Sequence, residues 1–308
     1  MNIILGTLLG LVLGSFVDCI ANRSLTNKSF GGRSYCDNCQ KTLSWYDLFP
    51  VFSYLFLRGK CRFCHKKISP ESLITEIVMA GLIGLLFYLR IPANFLTLGI
   101  WDLLLVLIDI VLYSTIISTL VAVFITDYKT GYIPDRITYP AVIIVFWLLL
   151  LKTLYQIYLM YLGLKDAPLG QYLLPPYSTY FQNHALDMFV NNIGTNLLAA
   201  ALIATFFGVL ILGTRGRGMG GGDLKLGFFM GLALGFEKGV LAVFLAFILG
   251  SIIGIGLIVI NRKNLKQTIP FGPFLTLGSL LAFFWGPQIL SAYFGLFSGV
   301  SILDLLPF

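Results

Sequence analysis

Gly213–Gly227 reads GTRGRGMGGGDLKLG, and how this stretch sits in the fold decides how the chain is built. Six of the ten residues from Gly213 to Gly222 are glycine, and they end on one acid, Asp223, directly before an apolar run. Glycine permits backbone conformations and close approaches that side chains forbid, so such a loop can bring a carboxylate tight against a neighbouring helix. The next charged pair is Glu237-Lys238, ahead of a second long apolar run. If that pair marks the far membrane surface, the helix between has about 13 residues, roughly 20 Å against a hydrocarbon core of ~30 Å. Asp223 then lies on the order of 10 Å inside the lipid-depth zone, where an acid is costly and its default reading is functional. Two plainer readings compete. Gly216, Gly218 and Gly221 fit G-x-G-x-x-G, but that dinucleotide fingerprint needs a preceding strand, and both flanks here look transmembrane. The other is a flexible linker with an acid at a helix N-terminus, where a carboxylate is favoured anyway.

The rest of the chain supports a membrane setting. Of 308 residues, 57% are hydrophobic and 11% charged, and the mean hydropathy is +0.88. Soluble domains carry about 25% charged residues, so this composition excludes an ordinary soluble enzyme. Residues 3–21 form a first apolar run interrupted by Asp18, with no basic leader and no small-residue cleavage site, which predicts an uncleaved helix. Further runs lie near 73–89, 103–126, 137–155, 189–212, 224–236, 240–260 and 271–290, giving about eight candidate spans. No internal repeat is apparent. The expected organisation is a first transmembrane helix (1–22), a polar cysteine-containing module (23–72) and a multi-helix membrane domain (73–308) with an outer loop at about 155–189.

The net charge of +7 is distributed unevenly. With alternating crossings, 17 of the 21 Lys and Arg residues collect on one side, including Lys129, Arg136, Arg215, Arg217, Lys225, Arg262, Lys263 and Lys266. By the positive-inside rule that side is the cytoplasm, and the N-terminus is outside. His184, alone in the outer loop, reads as a surface or packing residue.

Cys36-x2-Cys39 and Cys61-x2-Cys64 are separated by 21 residues. Two such knuckles suit a four-thiolate zinc site, closed and therefore structural, and a cytosolic location argues against disulfides. His65 beside Cys64 is an alternative ligand, though four thiolates need no fifth. Cys19 reads as a small buried apolar residue.

Asp127, in TDYKTGYIPDRIT, closes the 103–126 run on the side from which Asp223 opens a later one. Two acids at one depth on neighbouring helices share a proton, because like charges a few ångströms apart cannot both ionise. One then activates a water while the other donates to the scissile carbonyl. Asp135 lies beyond Pro134 as a loop or helix N-cap acid, and Asp109 and Asp102 lie toward the outer face. Asp18 either pairs with Arg23 or lines the site.

Here the chain resembles the type IV prepilin peptidases, the leader peptidases of type IV pili and type II secretion. GMGGGD at Gly218–Asp223 is similar to their GxGD motif, with Gly220 and Gly222 as its supporting loop. GSF at Gly14–Phe16 with Arg23, the two cysteine pairs with Trp45–Cys61, DYKTGYIPDRIT and IPFGPFLTLG at Ile269–Gly278 resemble other signatures of the family. Asp18 stands where the family usually has Asn, and Gly59 and Glu76 match family positions. The resemblance implies an intramembrane aspartic endopeptidase of the bacterial cytoplasmic membrane. Asp127 and Asp223 are then its catalytic pair, and prepilin or pseudopilin leaders its substrates, with the lipid bilayer as a partner and no nucleic acid. It also implies, for many members, N-methylation of the new N-terminus with S-adenosylmethionine, which stands beside proteolysis as an activity to expect. An ion- or proton-coupled transporter with a zinc-knuckle docking module is the alternative from another class. A transporter places its acids at the bilayer midplane, whereas both of these lie toward one surface. The expectation is an all-α polytopic membrane protein with a small cytosolic zinc module.

Overall fold

The computed structural model describes residues 2–26, 28–36, 38–216, 219–259 and 270–298. Arg217, Gly218, Arg262, Lys263, Lys266 and Ile269, which entered the charge and motif readings above, lie outside the described residues. Among those described, helix dominates, and the only β-pairing is two isolated bridges. Seven helices are long and apolar enough to cross a membrane, and the protein is a polytopic all-α membrane protein. The chain divides into two compact units, residues 1–130 with 134–137, and residues 131–133 with 138–308.

In the first unit, α1 (Asn2–Leu25) packs on α3 (Glu71–Arg90), with α2 (Phe52–Phe56) in the cysteine segment between them and α4 (Ile100–Thr130) alongside. The α1–α3 seam is made by glycines at every fourth position. A Cβ on Gly10 would stand 2.5 Å from the Met79 carbonyl oxygen, and one on Gly14 would stand 2.6 Å from the Glu76 Cα. Lipid tails are as apolar as leucine, so helices in a bilayer associate through close backbone packing, and small residues spaced by four permit it.

In the second unit, α5 (Asp135–Asp166, whose first three residues belong to the first unit) leads through α6 (Tyr180–Phe189) and a π-helical turn, Val190–Gly194, into α7 (Thr195–Gly213). There α8 (Gly221–Val259) and α9 (Gly272–Ser298) complete the unit. The expected runs 224–236 and 240–260 are two limbs of α8, which breaks at Gly235 (φ 76°, ψ −175°). A Cβ on Gly239 would lie 3.6 Å from the Gly231 Cα, whereas eight residues of straight helix span about 12 Å. The limbs therefore fold back on each other. Phe207 stands over Gly227 on the first limb, and its neighbour Phe206 meets Phe247 on the second at 6.3 Å between centroids. The difference between eight expected runs and seven long helices is this one hairpin, and Gly235 adopts a backbone conformation that only glycine enters at low cost.

Candidate functional site

Four thiols in the cysteine segment converge on one point. Each pair sits in a tight turn of the same design. The Cys36 N–H donates to Lys41 O (3.0 Å) and the Gln40 N–H to Cys36 O (2.8 Å); the Cys61 N–H donates to Lys66 O (2.9 Å) and the His65 N–H to Cys61 O (2.9 Å). Gln40 (φ 57°) and His65 (φ 55°) hold the equivalent left-handed position. The knuckles, Tyr35–Thr42 and Lys60–Lys67, are thus a short structural repeat that the sequence reading missed, since only the cysteines and one lysine are shared. His65 is the exposed turn residue, outside the cluster of four thiols.

The sulfurs of Cys36, Cys39, Cys61 and Cys64 all lie within 4.8 Å of one another, with Cys36 Sγ 3.9 Å from Cys64 Sγ. A tetrahedron with metal–sulfur bonds of ~2.3 Å has edges of about 3.8 Å, so the donor set fits a thiophilic divalent ion. The electrostatics agree. The Lys66 backbone N–H, followed by the Asn38 side chain, pulls the Cys64 thiol down to about 6. The Cys39 N–H lowers the Cys36 thiol. The Lys41 N–H draws Cys39 down too, but burial and the other thiols outweigh it and push Cys39 up to about 11. Four thiolates cannot crowd together without a cation between them.

Several links tie this module to the membrane helices of its own unit, among them Arg136 at the start of α5, which donates to Lys28 O at 3.2 Å. The Val51 N–H donates to Glu76 Oε2 on α3 at 2.7 Å. Val51 has φ 62°, an outlier for a β-branched residue that this buried carboxylate helps to hold. Arg23, at the end of α1, donates to the carbonyls of five consecutive residues, Ser29 to Arg33, at 2.6–3.4 Å. Asp18 therefore does not take Arg23. It accepts from Asn22 Nδ2 at 3.1 Å and lines a cavity against the module. Gly59 (φ 66°) is a turn glycine whose carbonyl accepts the Ile68 N–H at 2.8 Å. Cys19 is half-buried rather than buried.

Among the described residues three acids are buried: Glu76, Asp127 and Asp223, at 6%, 4% and 8% exposure. Glu76 is engaged by Val51. Asp47, whose side chain is withdrawn from solvent, is paired with Arg62 Nε at 2.8 Å. Asp127 lies in the last turn of α4 in the first unit. Two residues on, Lys129 Nζ donates to Glu71 Oε2 (2.5 Å) and Asn22 Oδ1 (3.1 Å). Asp223 lies in the first turn of α8 in the second unit. Its Oδ2 accepts the Gly220 N–H at 3.2 Å, and its own N–H donates to Gly220 O at 3.1 Å. A Cβ on Gly222 would stand 3.1 Å from the Ile133 Cβ, so the glycine loop lets this helix start close against the chain that follows α4. Asp223 thus has the geometry of a helix N-terminal acid, favoured by the helix dipole, and is buried as well. Asp135 is the first residue of α5. Asp109 lies 18 residues before Asp127 on the same helix, about 27 Å away. His184 is exposed and stacks on Tyr180.

No solved structure matches the chain. Residues 8–90 match the Bacterial Peptidase A24 N-terminal domain, and residues 169–255 match the Type IV leader peptidase family. The first match holds both cysteine pairs and the second holds Asp223, while Asp127 lies between them. A prepilin leader peptidase/N-methyltransferase of Bacillus subtilis (strain 168) is 30% identical over 286 residues, covering 92% of this chain and 94% of that protein. Its namesake in Vibrio cholerae serotype O1 is 29% identical over 294 residues, 92% and 96% of the two chains. That of Aeromonas salmonicida is 28% identical over 261 residues, 85% and 74%. A relative of 30% identity along almost the whole of both chains, with two family matches in chain order, decides the membership: this protein belongs to the type IV leader peptidase family.

Proposed function

We propose that this protein is an intramembrane aspartic endopeptidase that removes the basic leader from type IV prepilin-like proteins, with Asp127 and Asp223 as its catalytic pair. The observation that carries the pair is selective burial. Of the three buried acids, Glu76 ties α3 to the cysteine module through the Val51 N–H, whereas Asp127 and Asp223 stand at the ends of long apolar helices. The chain itself limits their separation: Ile133, which abuts the Asp223 loop, is six residues past Asp127, a contour of at most about 20 Å. One carboxyl, ionised, takes a proton from water; the other, protonated, donates to the scissile carbonyl and then supports departure of the amine.

In this reading the module and both acids lie on the cytoplasmic side and the N-terminus outside, which the uneven distribution of basic residues supports. The scissile bond then falls at the junction between a polar leader and an apolar run of about 20 residues. Zinc is the ion that suits four thiolates in a closed site, where its work is to hold the module folded. The names of the relatives support N-methyltransferase activity as a second activity, and the family resemblance supplies its target, the new N-terminus, and its donor, S-adenosylmethionine. They give no support to a transporter.

Mixing the purified protein with one prepilin in detergent tests the reading. A leader-sized mass loss is expected, and Asp127→Asn and Asp223→Asn each abolish it while the protein stays folded and inserted. An intact prepilin with the wild-type protein, or near-normal turnover by either variant, overturns it.

A further inference from the structure

We propose that the cysteine module lies down on the bilayer, with the aromatic face of residues 48–63 seated in the headgroup layer against anionic phospholipid. This face is built inside out for a module in water. The short helix α2 buries none of its five residues; Leu48, Phe49, Phe52 and Leu55 are 41–61% exposed, and Phe56 is 85% exposed. The polar groups turn inward instead. Ser53 Oγ donates to Asp47 O at 2.7 Å, and the Asp47 carboxylate is taken by Arg62. Between the rings runs a groove of about 450 Å³, with Arg62 the one charged side chain in its lining. An apolar patch of this extent on a small polar module marks a contact surface.

Position and charge select the occupant. Val51, directly before α2, donates to Glu76 Oε2, and Glu76 lies about 8 Å along α3 from its start at Glu71. Since α3 is long and apolar enough to cross the membrane, the bond holds α2 at the level where α3 enters it. The polar zone on each face of a bilayer is on the order of 5–8 Å deep, so the rings beside that bond lie within or against it, in the layer that amphipathic aromatic anchors favour. From Lys41 to Lys67 the chain carries six Lys and Arg against a single acid, Asp47, and Arg58 and Lys60 are exposed just past α2. Cations and rings share one surface: the Arg62 guanidinium lies 4.7 Å from the Tyr46 ring centroid and Lys41 Nζ 5.0 Å from that of Phe63. Basic side chains this close to an anionic leaflet are drawn to it. The same charge repels the rival occupants, a second copy of this face and the basic leader of the proposed substrate.

The test uses the full-length protein at one chain per lipid nanodisc. The discs are of phosphatidylcholine alone or of an equimolar mixture with phosphatidylglycerol, each doped with a phospholipid bearing a diazirine near its glycerol. After irradiation the labelled peptides are mapped by mass spectrometry. Label is expected on residues 48–63 as well as on the membrane helices, severalfold heavier on that segment in the mixed discs, with the gain shrinking at high salt. Phe56→Asp should lower the yield on the segment on the order of tenfold, the penalty for taking one large side chain out of an apolar zone and putting a charge there. Arg58→Glu with Lys60→Glu should remove the gain from phosphatidylglycerol. Protease resistance checks the fold of each variant; Leu55→Asn repeats the test if Phe56→Asp fails that check, and the wild-type map decides in any case. Label confined to the membrane helices, equal yields on the segment in the two lipids, or an unchanged yield in folded Phe56→Asp overturns the proposal. A segment that lipid leaves unlabelled but that cross-links to added prepilin, or to a second chain in larger discs, also overturns it and gives the face to that partner. Prepilin trimming is not the readout, so the peptidase reading stands or falls separately.

Discussion

The cysteine module and the aspartate helices hold their functional groups by opposite means. In the module, four thiols meet through two hairpin turns whose hydrogen bonds span no more than a few residues, and the surrounding side chains are mostly exposed. Asp127 and Asp223 are buried, lie in different compact units, and depend on helix seams built by residues far apart in sequence. Four thiols brought this close suit a cation that would close them. A buried acid needs packed helices to place it.

That contrast is sharpest when the metal is removed. Stripping it with a chelator, or Cys36→Ser, should cost the module most of its stability, because structural zinc contributes on the order of 10 kcal/mol in small domains. Metal analysis should show about one zinc per wild-type chain, with proteolysis opening residues 28–70 first in the stripped protein. Equal protease resistance with and without metal would show that the turns stand by themselves.

The helix seam is the next largest lever. Gly14→Leu drives a side chain into the backbone of α3 at Glu76, and overpacking of this kind costs about 1–3 kcal/mol when the helices can shift at all. A fall in the thermal midpoint of the purified protein, with zinc still bound, is the expected result. An unchanged midpoint would mean that the α1–α3 contact contributes little.

The smallest effect is expected at Arg62. Its side chain is about half exposed beside the buried side chain of Asp47, and its guanidinium also lies 4.7 Å from the Tyr46 ring centroid. Arg62→Ala should cost no more than about 1 kcal/mol after screening by solvent, read as a small shift in the midpoint of module unfolding. A loss as large as that from Cys36→Ser would place the ion pair, not the metal, at the centre of the module.

How much of this was legible beforehand follows the same division. The cysteine pairs announced their cluster because the turns that aim them are local. Asp223 was legible through the glycines around it, and the break in α8 through Glu237-Lys238, which lies just past Gly235. The stripe Gly6, Gly10, Gly14 was present in the sequence but passed for part of an apolar run, because its partner helix lies some sixty to eighty residues away. Asp18 was ambiguous for a similar reason. Its neighbour Arg23 is captured by the carbonyls of Ser29–Arg33, and nothing in the spacing of the two residues foretells that loop.

The central claim is that Asp127 and Asp223 act as one site, and its most direct test is a double-mutant cycle on kcat/KM. Leader removal from a single prepilin is measured with the wild type, Asp127→Asn, Asp223→Asn and the double variant. Each single change should lower the rate on the order of a thousandfold or more, and the double should fall no further than the worse single, since losing either member of a working pair already forfeits its chemistry. A double variant whose loss equals the product of the two single losses would contradict the account, as would near-normal turnover in either single.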